Sequence, residues 1–181
     1  MVNIYKLKLT LLQSDIMRLL FINSGNSLNP HRVSRLLSVS QPAVSKALPY
    51  LEKNGLIIVK KDKNSKRLAV DLNRADNKVI WLKRSDNLKQ IYESGLVDFL
   101  YDKLPSATII LFGSYATGED TYNSDIDLAV IGVNKELDMA KFEKILERKI
   151  IINNYISFQK IDKHLLNNIL NGIVIKGAIE L

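Results

Sequence analysis

Residues 111 to 132 read LFGSYATGEDTYNSDIDLAVIG, in which an apolar run ends at a small-residue turn and the next apolar run opens with two aspartates one residue apart. In a β-strand, side chains at i and i+2 share a face, so Asp125 and Asp127 project together while Ile126, Leu128 and Val130 remain available for packing. Adjacent carboxylates repel unless a cation lies between them. Mg²⁺ suits that place, because it takes oxygen ligands, keeps several waters and is commonly held by one or two carboxylates together with substrate phosphates. The pair therefore predicts a triphosphate-bearing partner. Upstream, Gly113 lets the backbone approach a ligand closely, Ser114 offers a backbone N–H and a hydroxyl to phosphate oxygens, and Gly118 permits the next tight turn.

The elements around this stretch predict an α/β or α+β unit. Residues 87 to 104 carry helical spacing through Leu88, Ile91, Leu96, Phe99 and Leu100. After Pro105 the pattern reads as strand (108–112), turn, strand (125–131), helix (135–148), strand (150–158), helix (163–170) and a last strand at 172–175.

The preceding residues have a different character. Residues 1 to 84 hold 16 Lys and Arg against 5 Asp and Glu, a balance of +11, whereas residues 85 to 181 hold 10 against 14, a balance of −4. This asymmetry predicts two domains, 1–84 and 85–181, the first suited to a polyanion. Apolar spacing predicts a helix over 9–23, and turn formers end it. Pro30 opens a second helix, PHRVSRLLSV, and Ser40 caps a third over 41–54 with Pro42 in its first turn and Gly55 as its stop. LIIVKKDKNSKRLAVDL then reads as a hairpin around residues 62–65, with Lys60, Lys61, Lys63, Lys66 and Arg67 near its tip. The polar stretch 73–87, around VIWL, is the expected boundary zone, with Trp81 packed between the domains.

Three helices followed by a basic hairpin, with VSQPAVSKALPYLEKNGLI at the third helix, resemble the winged helix-turn-helix domains of bacterial and archaeal regulators over about residues 8 to 72. The resemblance implies double-stranded DNA as partner, with Gln41, Ser45 and Lys46 presented to bases or phosphates. Lys61, Lys63, Lys66 and Arg67 of the wing would add salt-sensitive phosphate contacts. Many winged-helix proteins dimerise, which leaves a homodimer open although no heptad marks an interface.

The combination of a hydrophobic strand, Gly-Ser, ten residues and Asp-Ile-Asp flanked by Ser124 and Leu128 resembles the minimal nucleotidyltransferases of the DNA polymerase β superfamily, over about residues 88 to 181. The fold class expected is therefore two domains, a mainly α winged helix-turn-helix and then an α/β (α+β) nucleotidyltransferase fold with a small mixed sheet. The resemblance implies that Gly113 and Ser114 contact the nucleotide phosphates, that Asp125 and Asp127 are the catalytic metal ligands, and that Mg²⁺ or Mn²⁺ is the ion. The substrate implied is a nucleoside triphosphate, ATP first among them. A nucleoside monophosphate would pass in line to an acceptor hydroxyl with pyrophosphate leaving. Some members of that superfamily are antitoxins that adenylylate a small helical toxin, which makes a protein acceptor an expected partner.

Two departures stand out. Relatives usually supply a third acidic residue from a later strand, but KIIINNYISFQK holds neither Asp nor Glu; Asn153 or Asn154 takes that place, and Glu147 and Asp162 only flank it. Relatives often carry an arginine between the serine and the second glycine, where this chain has SYATG, and Tyr115 and Thr117 bring no charge. The rival expectations are a DNA-binding regulator whose second domain senses nucleotide or mediates pairing without chemistry, and an RNA-directed transferase. The sequence has no cysteine, which excludes disulfides and thiolate zinc sites. No apolar run reaches the ~20 residues of a membrane helix. The expectation is a soluble, cytoplasmic protein. His31 and His164 lack partners at ligand spacing and are read as surface or capping residues.

Overall fold

The computed structural model describes residues 7–61 and 68–180. Contacts divide the chain into two units, Met1–Val79 and Ile80–Leu181.

In the first unit each helix begins where the sequence supplies a cap. Helix α1 (Leu11–Ile22) opens on a capping box, in which the Thr10 hydroxyl accepts from the Gln13 backbone N–H and the Gln13 side chain accepts from that of Thr10. Asn29 caps α2 (Pro30–Leu36) and Ser40 caps α3 (Gln41–Lys53). Ile16 and Leu20 of α1, Val33 of α2, and Val44 and Leu51 of α3 bury together. Strand β1 (Ile57–Lys61) pairs antiparallel with β2 (Leu68–Leu72). Leu28 exchanges both backbone hydrogen bonds with Val70, at 3.1 and 2.7 Å, which stitches the α1–α2 connection to the hairpin. Three helices closed by this hairpin make the expected winged helix-turn-helix.

The second unit is built on a four-stranded sheet. Its elements are α4 (Asn77–Glu93), which starts before the unit boundary, α5 (Leu96–Lys103), β3 (Thr108–Phe112), α6 (Gly113–Thr117), β4 (Ile126–Ile131), α7 (Ala140–Leu146), β5 (Ile150–Tyr155), a 3₁₀ turn (Phe158–Lys160), α8 (Lys163–Leu170) and β6 (Ile173–Lys176). The strand order is β5-β4-β3-β6, with β4 and β5 parallel and the other pairs antiparallel, so the sheet is small and mixed as expected. Both faces are covered. Ile109, Leu111, Leu128 and Val130 pack with Leu96, Leu100 and Phe142 on one side, and Ile110, Phe112, Ala129 and Ile131 pack with Phe158, Ile161 and Ile169 on the other.

The structure differs from the sequence reading in five places. The polar stretch taken as a boundary zone is helix α4, which starts about ten residues before the helix expected at 87. The helix expected over 135–148 is confined to Ala140–Leu146, and the strand expected to reach Phe158 ends at Tyr155, where the 3₁₀ turn takes over. The Gly-Ser turn is a short helix, α6. Trp81 is 65% exposed instead of packed.

Gly118 ends α6 with φ +84°, and a Cβ there would lie 2.6 Å from the Ile80 carbonyl oxygen of α4. Both the left-handed backbone and the close approach require glycine. Gly118→Ala is expected to lower the thermal unfolding midpoint of the second unit while leaving the helical signal of the first unchanged. An unaltered midpoint would show that α4 yields easily.

Candidate functional site

The antiparallel register sets Phe112 opposite Asp127, which brings Gly113 directly against that aspartate. A Cβ on Gly113 would lie 2.7 Å from Asp127 Oδ2, and its φ is +73°, so the position excludes any side chain. Ser114 follows in α6. Its carbonyl oxygen accepts from the Thr117 hydroxyl (3.1 Å) and from the backbone N–H groups of Glu119 (3.0 Å) and Asp120 (3.2 Å), which fixes the helix. Asp125 is exposed immediately before β4, and Asp127 is half-buried on the strand itself. No lysine or arginine pairs with either carboxylate among the described residues. Burial, and then the charge of Asp125, push the Asp127 carboxyl above the usual carboxylate range.

The parallel register of β4 and β5 settles what stands beside the pair. Ile151 is the residue directly alongside Asp127 and it is 40% exposed; Asn153 stands alongside Ala129, one pleat further on. Asn154 stands alongside Val130 and therefore faces the other side of the sheet, with its Oδ1 buried. The expectation that Asn153 or Asn154 takes the place of a third carboxylate is thus corrected, because an isoleucine occupies the position beside Asp127. No cluster of three His, Asp or Glu side chains able to hold a metal occurs among the described residues. Two neighbouring carboxylates with no cationic partner among the described residues, one of them against the left-handed Gly113 backbone, fit one hydrated divalent cation whose remaining ligands come from water and phosphate.

Behind this site lies a buried polar cluster that hydrophobic spacing could not reveal. Asp120 ion-pairs with Lys83 of α4, and both side chains are essentially inaccessible. Asn87 Nδ2 donates to Asp120 Oδ1 (2.7 Å) and to the Tyr115 carbonyl oxygen of α6 (3.0 Å). Arg148, 3.7 Å from Asp120 Oδ2, also donates to the Glu147 carbonyl oxygen (3.0 Å) at the turn into β5. One carboxylate therefore ties α4, α6 and the start of β5 together. Tyr115 is buried in the core, and the Thr117 hydroxyl is occupied by Ser114 and Glu119, so α6 presents no cation.

In the first unit Gln41, Ser45 and Lys46 are exposed on α3, and Lys61 is exposed at the end of β1. Lys63, Lys66 and Arg67 fall outside the described residues. Arg32 and Arg35, three residues apart, are exposed on α2.

Residues 93–175 match the family model described as a nucleotidyltransferase domain. The second unit therefore matches a nucleotidyltransferase domain, and the first has the winged-helix fold. Over 57 residues, 31% of this chain, it is 37% identical to the protein adenylyltransferase MntA of Shewanella oneidensis, and that match spans 41% of the relative, less than half its length. Among solved structures, Lactococcus lactis ZitR, a zinc-responsive MarR family member, aligns at 23% identity over 57% of this chain and 69% of its own, with a TM-score of 0.43. The adhesin competence repressor AdcR of Streptococcus pyogenes aligns at 22% identity over 57% and 72%, with a TM-score of 0.44. The MepR–DNA complex of S. aureus aligns at 23% over 54% and 80%, with a TM-score of 0.39.

Two predictions come from the nucleotidyltransferase domain. The folded state raises the pKa of Asp127, so it binds that proton more tightly than the unfolded chain does. Its stabilising contribution is present below the ordinary carboxylate value and is lost as pH rises through the raised one. Asp127→Asn is expected to raise the unfolding midpoint of the metal-free protein at about pH 7 and to change it little at about pH 3. A midpoint that drops at neutral pH would contradict the assignment. Asp120→Ala removes the carboxylate that pairs with two buried cations and is expected to cost about 3–5 kcal/mol in denaturant unfolding of the second unit. A loss below about 1 kcal/mol would mean that the cluster is solvated.

Proposed function

We propose that this protein binds double-stranded DNA through its winged helix and transfers a nucleoside monophosphate from a nucleoside triphosphate to an acceptor hydroxyl through its nucleotidyltransferase domain. The observation that carries the reading is the juxtaposition of Gly113 with Asp127, whose carboxyl also feels the charge of Asp125. A backbone without a side chain lies against Asp127, and neither aspartate pairs with a cation among the described residues, which suits a metal-bound polyphosphate.

In this reading Gly113 and Ser114 bind the phosphates, and Asp125 and Asp127 hold Mg²⁺ or Mn²⁺. The divalent ion supplies charge neutralisation at the reacting phosphate. The chain itself positions. Gly113 admits the phosphates against β3, Ser114 donates its hydroxyl to them, and the buried Asp120 cluster keeps α6 from shifting. ATP as substrate and a protein as acceptor are supported by the name of the Shewanella oneidensis relative, a protein adenylyltransferase. A small helical toxin-like protein is the acceptor class that the antitoxin resemblance favours. The DNA reading is supported by the +11 balance of residues 1–84 and by the exposed Gln41, Ser45, Lys46 and Lys61, to which Arg32 and Arg35 add phosphate contacts. A DNA-associated role accords with a cytoplasmic location, and no helix among the described residues is long and apolar enough to cross a membrane.

Ile151 favours a second reading, a regulator whose nucleotidyltransferase domain binds nucleotide without turning it over, since β5 offers no carboxylate beside Asp127. Incubation with divalent ion, labelled nucleotides and candidate protein or RNA acceptors separates the two, with Asp125→Ala and Asp127→Ala as controls. Label transfer that both controls abolish supports the transferase, and nucleotide binding with no transfer supports the regulator. Ile151→Asp is expected to tighten divalent-ion binding and raise transfer, and a variant indistinguishable from wild type would remove Ile151 from the argument.

DNA binding is measured on the full chain by titration with duplex at several salt concentrations. Lys46→Glu is expected to weaken binding uniformly across sequences and to lower the slope of log affinity against log salt by about one. A duplex affinity undetectable at low salt would reject the DNA reading.

A further inference from the structure

A cleft of about 350 Å³ opens beside Asp125, lined on one wall by Tyr122 and on the other by Glu147 and Lys149. Its position relative to the phosphate cradle is informative. Gly113 meets Asp127 from the β3 side of β4, whereas the Ile126 N–H donates to the Lys149 carbonyl oxygen (2.8 Å), so the cleft lies on the β5 side. In an in-line displacement the attacking and leaving oxygens lie on opposite sides of the reacting phosphorus. If pyrophosphate leaves along Gly113 and Ser114, the attacking hydroxyl enters from this cleft.

The loop that forms one wall is held rigidly. Thr121 N–H donates to the Ser124 hydroxyl (2.9 Å), Ser124 N–H donates to the Thr121 carbonyl oxygen (3.1 Å), and the Thr121 hydroxyl bonds Asn123 Oδ1 (2.6 Å). Its base is the buried Asp120. The hydroxyls of Thr121 and Ser124 are thereby engaged within the loop. Tyr122, at the apex and 50% exposed, makes no hydrogen bond among the described residues.

Resting on the transferase reading, we propose that Tyr122 is a self-modification site, an intramolecular acceptor for the nucleotidyl group. The Tyr122 phenolic oxygen attacks the α-phosphorus of a bound nucleoside triphosphate. The new bond joins that oxygen to phosphorus, the bond from the α-phosphorus to the bridging oxygen of the β-phosphate breaks, pyrophosphate leaves and the phenolic proton passes to solvent. A hydroxyl carried on the same chain has a high effective concentration, so the reaction proceeds without an external acceptor.

The test uses the full chain with ATP and Mg²⁺ or Mn²⁺ in the absence of any acceptor. Calorimetry reports ATP binding, intact-mass spectrometry reports modification, and peptide mapping reports the residue. The expected result is a mass increase of one adenylyl group, mapped to Tyr122 and lost in both Tyr122→Phe and Asp127→Asn. ATP binding with no mass change, or an adenylyl group mapped to another residue, overturns the self-modification and leaves the nucleotide reading standing. No ATP binding overturns both.

Discussion

A single buried carboxylate organises the nucleotidyltransferase domain. Asp120 is almost inaccessible, and it accepts from Lys83 and Asn87 of α4 while sitting 3.7 Å from Arg148 at the start of β5. Burying an ion pair is no reliable source of net stability, because desolvation of both charges offsets their attraction. What the cluster provides is position. Through Asn87 and the Tyr115 carbonyl, and through its own N–H on Ser114, it fixes the helix that carries the Gly-Ser pair, and through Arg148 it fixes the turn on the other side of Asp125. Removing Asp120 would take the shared acceptor away from two buried cations, so the arrangement has few alternatives.

The same cluster explains where the sequence was opaque. The buried positions of α4 recur as Val79, Lys83, Asn87 and Ile91, a regular i, i+4 stripe. Two of its four members are polar, so apolar spacing registered only the part after residue 87 and left the first turns looking like a linker. Where the inward residues were apolar the reading was close. The strand Thr108–Phe112 and the helix Lys163–Leu170 fall where expected, Pro30 opens α2 and Ser40 caps α3. The aspartate pair was legible for a different reason, since charges at the edge of an apolar strand stand out against it.

What the sequence could not reveal was register. Nothing local in KIIINNYISFQK says which residue stands beside Asp127, because pairing is fixed by the packing of both sheet faces. The sheet brings Ile151 there and turns Asn154 to the opposite face. The departure noted in sequence is therefore sharper in the fold: the place beside the second aspartate holds an apolar side chain, and the nearest amide on that face stands a pleat away. The absent cation is equally structural, since Tyr115 is committed to the core and Thr117 to its own helix.

These features together shape how such a site could work. In the proposed reading, with two carboxylates and no cation from α6, Asp125 and Asp127 would hold the ion and the phosphates would depend on it for charge neutralisation. Burial first, and then the charge of Asp125, raise the pKa of Asp127, and a bound cation would offset both. A site assembled this way couples nucleotide binding to metal more tightly than one with a fixed arginine, because neither ligand alone satisfies the other's partners. The domain's rigidity then matters more, since the protein adds little charge of its own at the cradle and contributes chiefly by holding Gly113, Ser114 and the aspartates at fixed separations.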